Sequence, residues 1–199
     1  MEADRIIITQ ASLEDADFII KFGTETFQDA YGHAHSKEDM NAYLLSAFNK
    51  EKTLDELCDN NIVYLIASIE GKPIAYSKLS TSKAHRSLKE CSSIELERIY
   101  VAKEMTGKKI GSTLMKKSLD IARERNYKTL WLAVWEFNPL AVAFYERFGF
   151  KSFGSDIFTL GKTKRNLILM KKELKVNILN LTQNFFHCLH QLPITTANY

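Results

Sequence analysis

The sequence predicts an α/β domain built on a mixed, largely antiparallel sheet. Three observations carry this. Residues 61–69 (NIVYLIASI) and 73–80 (PIAYSKLS) are β-rich runs joined by EGK, which makes a hairpin. Residues 110–125 place Ile110, Leu114, Met115, Leu119 and Ala122 at helical spacing between strand-like runs at 93–102 and 128–135. A chain of 199 residues, 45% hydrophobic and 26% charged, is enough for one sizeable core.

Taken in order, RIIIT at 5–9 reads as a short strand. Ser12 then caps a helix to about Phe27, with Glu14 and Asp15 in the first turn where the helix dipole favours acids. Met40, Tyr43, Leu44 and Ala47 mark a second helix from Ser36 to about Phe48, and TLDELC at 53–58 adds a turn or two. After the hairpin, TSKAHRSLKECS at 81–92 is a surface loop. Past the helix at 110–125, KTLWLAVW at 128–135 is a buried strand. Asn138 caps the next helix, Pro139 fits its first turn and Gly149 ends it. Two more strands follow at about 150–160 and 165–173. There are no internal repeats.

Residues 1–174 make one domain by this reading, and 175–199 differ from it. The tail carries no charge after Lys175, while Leu179, Phe185, Phe186, Leu189 and Leu192 fit a helix packed on the domain or on a partner. A non-native extension fits that composition equally.

Several function classes drop out on composition. A net charge of +3 does not point to nucleic acid, and the basic residues are not gathered around exposed aromatics. No apolar run approaches the roughly 18 residues that span a membrane. MEADRIIITQ lacks the pattern of a signal peptide. The 3 cysteines, Cys58, Cys91 and Cys188, have no metal-ligand spacing and suit a reducing compartment. The expectation is a cytoplasmic protein with no metal, nucleic-acid or membrane partner.

Two stretches carry chemistry. In SIELERIYV the apolar Leu96 and Ile99 are three residues apart, where a regular strand steps by two. An extra residue at Glu97–Arg98, a β-bulge, restores the pattern and leaves backbone groups for a ligand. Alternatively Ile94, Leu96 and Tyr100 face a second core. Next, Thr106-Gly107-Lys108-Lys109-Ile110-Gly111-Ser112 runs from that strand into a helix N-terminus, where free N–H groups and the dipole favour an anion.

LERIYV, TGKKIGSTLMKKSLDIA and LWLAVWEFNPLAVAFYERFGF together resemble the GCN5-related N-acetyltransferases (GNAT), over roughly residues 4–173. Within that superfamily TFQDAYG, MNAYLLSAF and IELERIYV are most similar to PaiA-type spermidine/spermine acetyltransferases. The resemblance implies a sheet whose fourth and fifth strands part into a V holding acetyl-CoA. It implies pantetheine pairing with the backbone of Ile99, Tyr100 and Val101, and a pyrophosphate on Gly107, Lys108, Lys109, Ile110, Gly111 and Ser112. It puts Asn138 against the coenzyme, Tyr145 beside its sulfur, and suggests a homodimer acting on a small-molecule amine. Two departures stand out. Thr106 and Lys109 occupy positions where the family usually has Gln or Arg and Gly, and GKTKRN at 161–166 is basic where PaiA-type chains are acidic. A polyamine gains nothing from Lys162, Lys164 and Arg165.

Acetyl transfer from a thioester to an amine sets three requirements: a neutral amine, stabilisation of the oxyanion, and a proton for the thiolate. Deprotonating an amine of pKa about 10.4 at pH 7 costs about 4.6 kcal/mol, work for a carboxylate. Glu97 is the candidate base with Glu95 as substitute, although both also read as surface carboxylates. Tyr145 is the candidate acid. It stands seven residues from Asn138, two helical turns, so the two share a face. Backbone N–H near Ile99 would meet the oxyanion. Trp131 and Trp135 read as core or dimer packing. His33 and His35 read as a mobile substrate-side segment, and Glu25, Asp29, Glu38 and Asp39 as acids able to draw in an amine. The expected function is an acetyl-CoA-dependent N-acetyltransferase for a primary amine such as a polyamine. Acetylation of a protein or peptide amine, and non-catalytic acetyl-CoA binding, are the alternatives.

Overall fold

The computed structural model describes residues 5–81, 85–88 and 92–175. The extra-helix reading of the tail therefore lies outside the described residues, as do Cys91 and Cys188. Among the described residues seven strands form one sheet: β1 (Ile7–Gln10), β2 (Ile62–Ile69), β3 (Lys72–Ser80), β4 (Ser93–Val101), β5 (Thr129–Trp135), β6 (Lys151–Leu160) and β7 (Thr163–Glu173). Their order is β1-β2-β3-β4-β5-β7-β6. Neighbours are antiparallel except β4 and β5, which are parallel and joined through a helix, as a parallel pair requires. The predicted α/β class with a mixed, mostly antiparallel sheet is the one observed.

Among the described residues five α-helices cover the sheet: α1 (Ala16–Tyr31), α2 (Lys37–Ala47), α3 (Lys50–Cys58), α4 (Ile110–Glu124) and α5 (Pro139–Arg147). None is long and apolar enough to cross a membrane. Strand alternation separates two cores. Val63, Leu65, Ala67, Ala75 and Leu79 face α4, where Leu114, Met115 and Ala122 complete the main core. Tyr64, Ile66 and Tyr76 point the other way, onto Ile19 of α1. Both faces of β2 and β3 are thus buried, which is why those strands read as nearly continuous apolar runs.

Two elements differ from the sequence reading. Ser12 opens a 3-10 turn at Leu13–Asp15 instead of α1 itself, its N–H bonding the Asp15 carboxylate at 2.8 Å. The turn expected at 53–58 starts earlier, because the Asn49 side chain accepts the Lys52 N–H at 2.8 Å and caps a helix there.

The irregular strand resolves as a bulge. Lys78 pairs with Arg98 and Leu79 with Leu96, leaving Glu97 without a partner on β3. Ile94 and Leu96 lie in the α4-side core before the bulge, and Ile99 and Val101 pack against that same core after it. The extra residue restores the period, as the step of three predicted. Tyr100 does not share a core with Ile94 and Leu96. It points to the opposite face, its ring 5.4 Å from that of Tyr76.

Candidate active site

β4 and β5 pair over only three positions, Ser93–Thr129, Ile94–Leu130 and Glu95–Trp131, and then part. The bulge at Glu97 follows two residues later, so extra twist and loss of pairing coincide. Beyond it the outer edge of β4 has no strand partner among the described residues, while its inner edge stays paired to β3. A cavity of about 540 Å³ opens in the gap. Glu95, Glu97, Ile99 and Tyr100 line it from β4, and Asn138 and Tyr145 from α5.

Local rules hold α5 in place. Asn138 Oδ1 accepts the Ala141 N–H at 3.1 Å, with Pro139 in the first turn. At the other end Gly149 takes a φ of +81°, its N–H bonding Glu146 O at 2.8 Å and the Phe150 N–H bonding Tyr145 O at 3.2 Å. This is a Schellman ending. Its apolar contact joins Phe150, which is buried, to the Tyr145 ring at 5.9 Å. The Gly-Phe exit thereby fixes the turn that carries Tyr145. Burial first, then the nearby Tyr31 phenol, push Tyr145 above its ordinary value of 10.0, so it is a neutral O–H donor at any physiological pH. Val142, Phe144 and Phe148 supply the helix's packing surface, whereas Leu140 is 83% exposed and supplies none.

On the opposite wall, Glu97 is ion-paired to Lys78 at 2.6 Å, and Lys78 also reaches Glu56 of α3 at 2.8 Å. Glu56 accepts from the Tyr64 hydroxyl as well. Burial alone would raise Glu56, but its bonds to Lys78 and Tyr64 outweigh that and hold it below the usual carboxylate range. Arg98 lies over the Phe48 ring at 4.4 Å.

The remaining predicted residues form a second cluster. Val101 ends β4, and a 3-10 turn, Lys103–Met105, leads through Gly107 and Lys108 to Lys109 at the head of α4. No side chain caps α4, so its first N–H groups, Ile110 to Ser112, are left for water or a ligand. Lys109 takes φ +65°, a left-handed geometry normally left to glycine. It thus supplies the turn that the missing Gly would have made. The Ile110 side chain is fully buried in the core, leaving only its backbone for a ligand. A methyl added at Gly111 would meet Val101 and Phe144 only at ordinary contact distances, 3.6 Å and beyond. Packing does not demand glycine there, whereas close approach of a ligand to the backbone would.

The Acetyltransferase (GNAT) family profile matches residues 22–150. The chain belongs to this family. An uncharacterised N-acetyltransferase from the pepI 3' region of Lactobacillus delbrueckii subsp. lactis is 31% identical over 167 residues, covering 84% of this chain and 96% of the relative. The spermidine N(1)-acetyltransferase of Thermoplasma acidophilum is 28% identical over 152 residues, covering 73% and 88%. The crystal structure of the PaiA N-acetyltransferase from Thermoplasma acidophilum in complex with coenzyme A superposes with a TM-score of 0.71 at 26% identity, covering 85% of this chain and 99% of that one. The protein is a GNAT acetyltransferase, and its parted β4 and β5 are the V expected of that fold.

Three site features escaped the sequence reading. Trp135 lines the cavity instead of packing in a core; Trp131, on the same strand face, is buried with Leu88 and Leu169. Arg165 reaches the cavity from β7, its guanidinium donating to Ala34 O at 2.6 Å. Glu25, Asp29 and Glu38 are exposed outside the cavity, and Asp39 instead meets the β6–β7 turn, accepting the Lys162 N–H at 3.4 Å. Gly161 in that turn takes φ +57°, the left-handed region that favours glycine.

Proposed function

We propose that this GNAT enzyme transfers an acetyl group from acetyl-CoA to a primary amine, with Tyr145 as acid and Glu97 as base. The observation that carries this is the pairing of opposites across one cavity: a neutral phenol on α5 and a carboxylate at the bulge of β4. Acetyl-CoA supplies an acyl carbon activated by its thioester. The residues present suit it. Ile99, Tyr100 and Val101 offer an unpaired strand edge to its amide-bearing arm, and the N–H groups from Gly107 to Ser112, with Lys108 and Lys109, suit its phosphates. Asn138 keeps its amide N–H₂ for the coenzyme, its Oδ1 being used by the cap.

Glu97, directly or through a water, takes the proton that an ammonium must lose. The amine nitrogen then bonds to the acetyl carbon as the carbon–sulfur bond breaks, Tyr145 gives its phenolic proton to the sulfur, and the proton shed by the new amide nitrogen passes through water to restore the phenol. Backbone N–H near Ile99 meets the charge that grows on the acetyl oxygen. Glu95 lines the same wall and is the substitute base. The spermidine-acetylating relative favours a small amine as acceptor, possession of a polyamine site being the narrowest form of that reading.

The test is release of free thiol from acetyl-CoA in the presence of a panel of primary amines. Turnover with one or more amines is expected. Tight coenzyme binding with no release for any amine would instead favour a binding-only role.

A further inference from the structure

The acceptor end of the cavity is not neutral. Its β4 wall carries the acids Glu95 and Glu97 together with Arg98, whose guanidinium lies over the Phe48 ring at 4.4 Å, while the far wall carries Arg165 of β7. Arg165 lies 5.5 Å from the Trp135 ring and is tied through its guanidinium to Ala34 O at 2.6 Å. No carboxylate of the described residues is ion-paired to it. Its Nε is buried without a hydrogen-bond partner, and so are His35 Nδ1 and Trp135 Nε1, from two other elements lining the same cavity. Buried polar groups are almost always partnered, so three without partners on one cavity wall call for a ligand. Arg165 Nε and Trp135 Nε1 are obligate donors, and the ligand atoms that satisfy donors are acceptors. Beside a guanidinium, the natural acceptor is an anion.

The neighbouring charges agree. Asp39 of α2, whose charge acts on His35, accepts the Lys162 N–H at 3.4 Å. His33 is exposed, and Lys162 and Lys164 are exposed on the β6–β7 hairpin that carries Arg165. A second ammonium at this end would meet Arg165, whereas a carboxylate would complete it. The α4 N-terminus, where the coenzyme phosphates fit, belongs to a separate cluster, so those phosphates are not the missing anion.

We propose that the acceptor is an amine that also bears a carboxylate, a free amino acid, and that Arg165, His35 and Trp135 receive that carboxylate. The amine then lies toward Glu95 and Glu97, and the products are an N-acetylated amino acid and free CoA. This rests on the acetyl-transfer reading above and narrows its substrate.

Matched pairs that differ only by the carboxylate test it: lysine against cadaverine, and ornithine against putrescine. The expected result is a kcat/KM at least about tenfold higher for each amino acid, the scale of one charge-assisted hydrogen bond. Arg165→Leu should erase that gap, lowering turnover of lysine by about tenfold or more while cadaverine, freed of the facing cation, rises. Trp135→Phe keeps the ring and removes one donor, so it should lower lysine turnover alone, by a smaller factor. Diamines used as well as the amino acids, or equal losses on both in Arg165→Leu, overturn the anion subsite and leave acetyl transfer intact. If no amine is acetylated, transfer itself fails and calorimetric titration of the CoA complex decides. Lysine binding no tighter than cadaverine, or unaffected by Arg165→Leu, then overturns the subsite.

Discussion

Lys78 Nζ lies 2.6 Å from Glu97 Oε2, with the lysine side chain 4% exposed. One buried ammonium therefore serves two carboxylates, Glu97 at the bulge and Glu56 on α3. This fixes where the proposed base points. Lys78→Met removes that tether and leaves the Glu97 carboxylate in place, so kcat should fall by about tenfold or more while coenzyme affinity stays within about twofold. Removing one partner of a buried pair should also cost about 3 kcal/mol of stability. Steady-state kinetics and a denaturant titration on the same variant measure both effects. Unchanged kcat would dissociate Lys78 from the base.

Tyr145→Phe removes the hydroxyl and keeps the ring that packs between Phe144 and Phe150. A positioned general acid contributes about 10²-fold or more, so kcat should fall by about that factor while coenzyme affinity stays within about twofold. Because burial raises the Tyr145 phenol, its ionisation should add no descending limb to the wild-type profile below about pH 10. Unchanged turnover in the phenylalanine variant would remove Tyr145 from the chemistry.

What the sequence disclosed about this site was what short-range rules encode. A step of three on β4 announced the bulge, and Asn138, Pro139 and Gly149 marked the limits of α5, because periods and caps act within a few residues. What it did not disclose were meetings across the fold. Arg165 and Ala34 are 131 residues apart in sequence, and Asp39 meets Lys162 across 123. Trp131 and Trp135 share a strand face and look alike in sequence. One is buried and the other lines a cavity because β4 leaves β5 between them. The basic run at 161–166 was the legible sign of the acceptor end, through its charge alone.

Tyr31, Tyr43, Tyr64, Tyr76, Tyr100 and Tyr145 are all raised above 10.0, burial being the largest cause in each. A raised folded-state value means that their stabilising contribution is complete below the unfolded value of about 10 and is lost as pH rises past it. Stability should therefore hold up to about pH 10 and then fall steeply, since several phenols release protons together on unfolding. Ultraviolet titration should show most of the phenolate appearing with loss of circular dichroism. Phenolate from most of the 8 tyrosines forming in a fully folded protein near pH 10 would contradict burial as the cause.

The left-handed Lys109 separates shape from charge at the head of α4. A non-glycine residue in that region carries about 1–2 kcal/mol of strain. Glycine relieves it but adds unfolded-chain entropy worth about 0.5–1 kcal/mol. Relief is the larger quantity, so Lys109→Gly should stabilise the fold by up to about 1 kcal/mol and raise Tm by a few degrees. Asparagine tolerates the same geometry while discarding the positive charge. If the backbone N–H groups of Ile110, Gly111 and Ser112 do most of the phosphate binding, coenzyme affinity should fall only a few-fold in both variants and by similar factors. Loss of more than about tenfold in both would assign phosphate binding chiefly to the lysine ammonium, because each variant preserves the turn. A fall in Tm for Lys109→Gly would show that the fold holds φ +65° without strain.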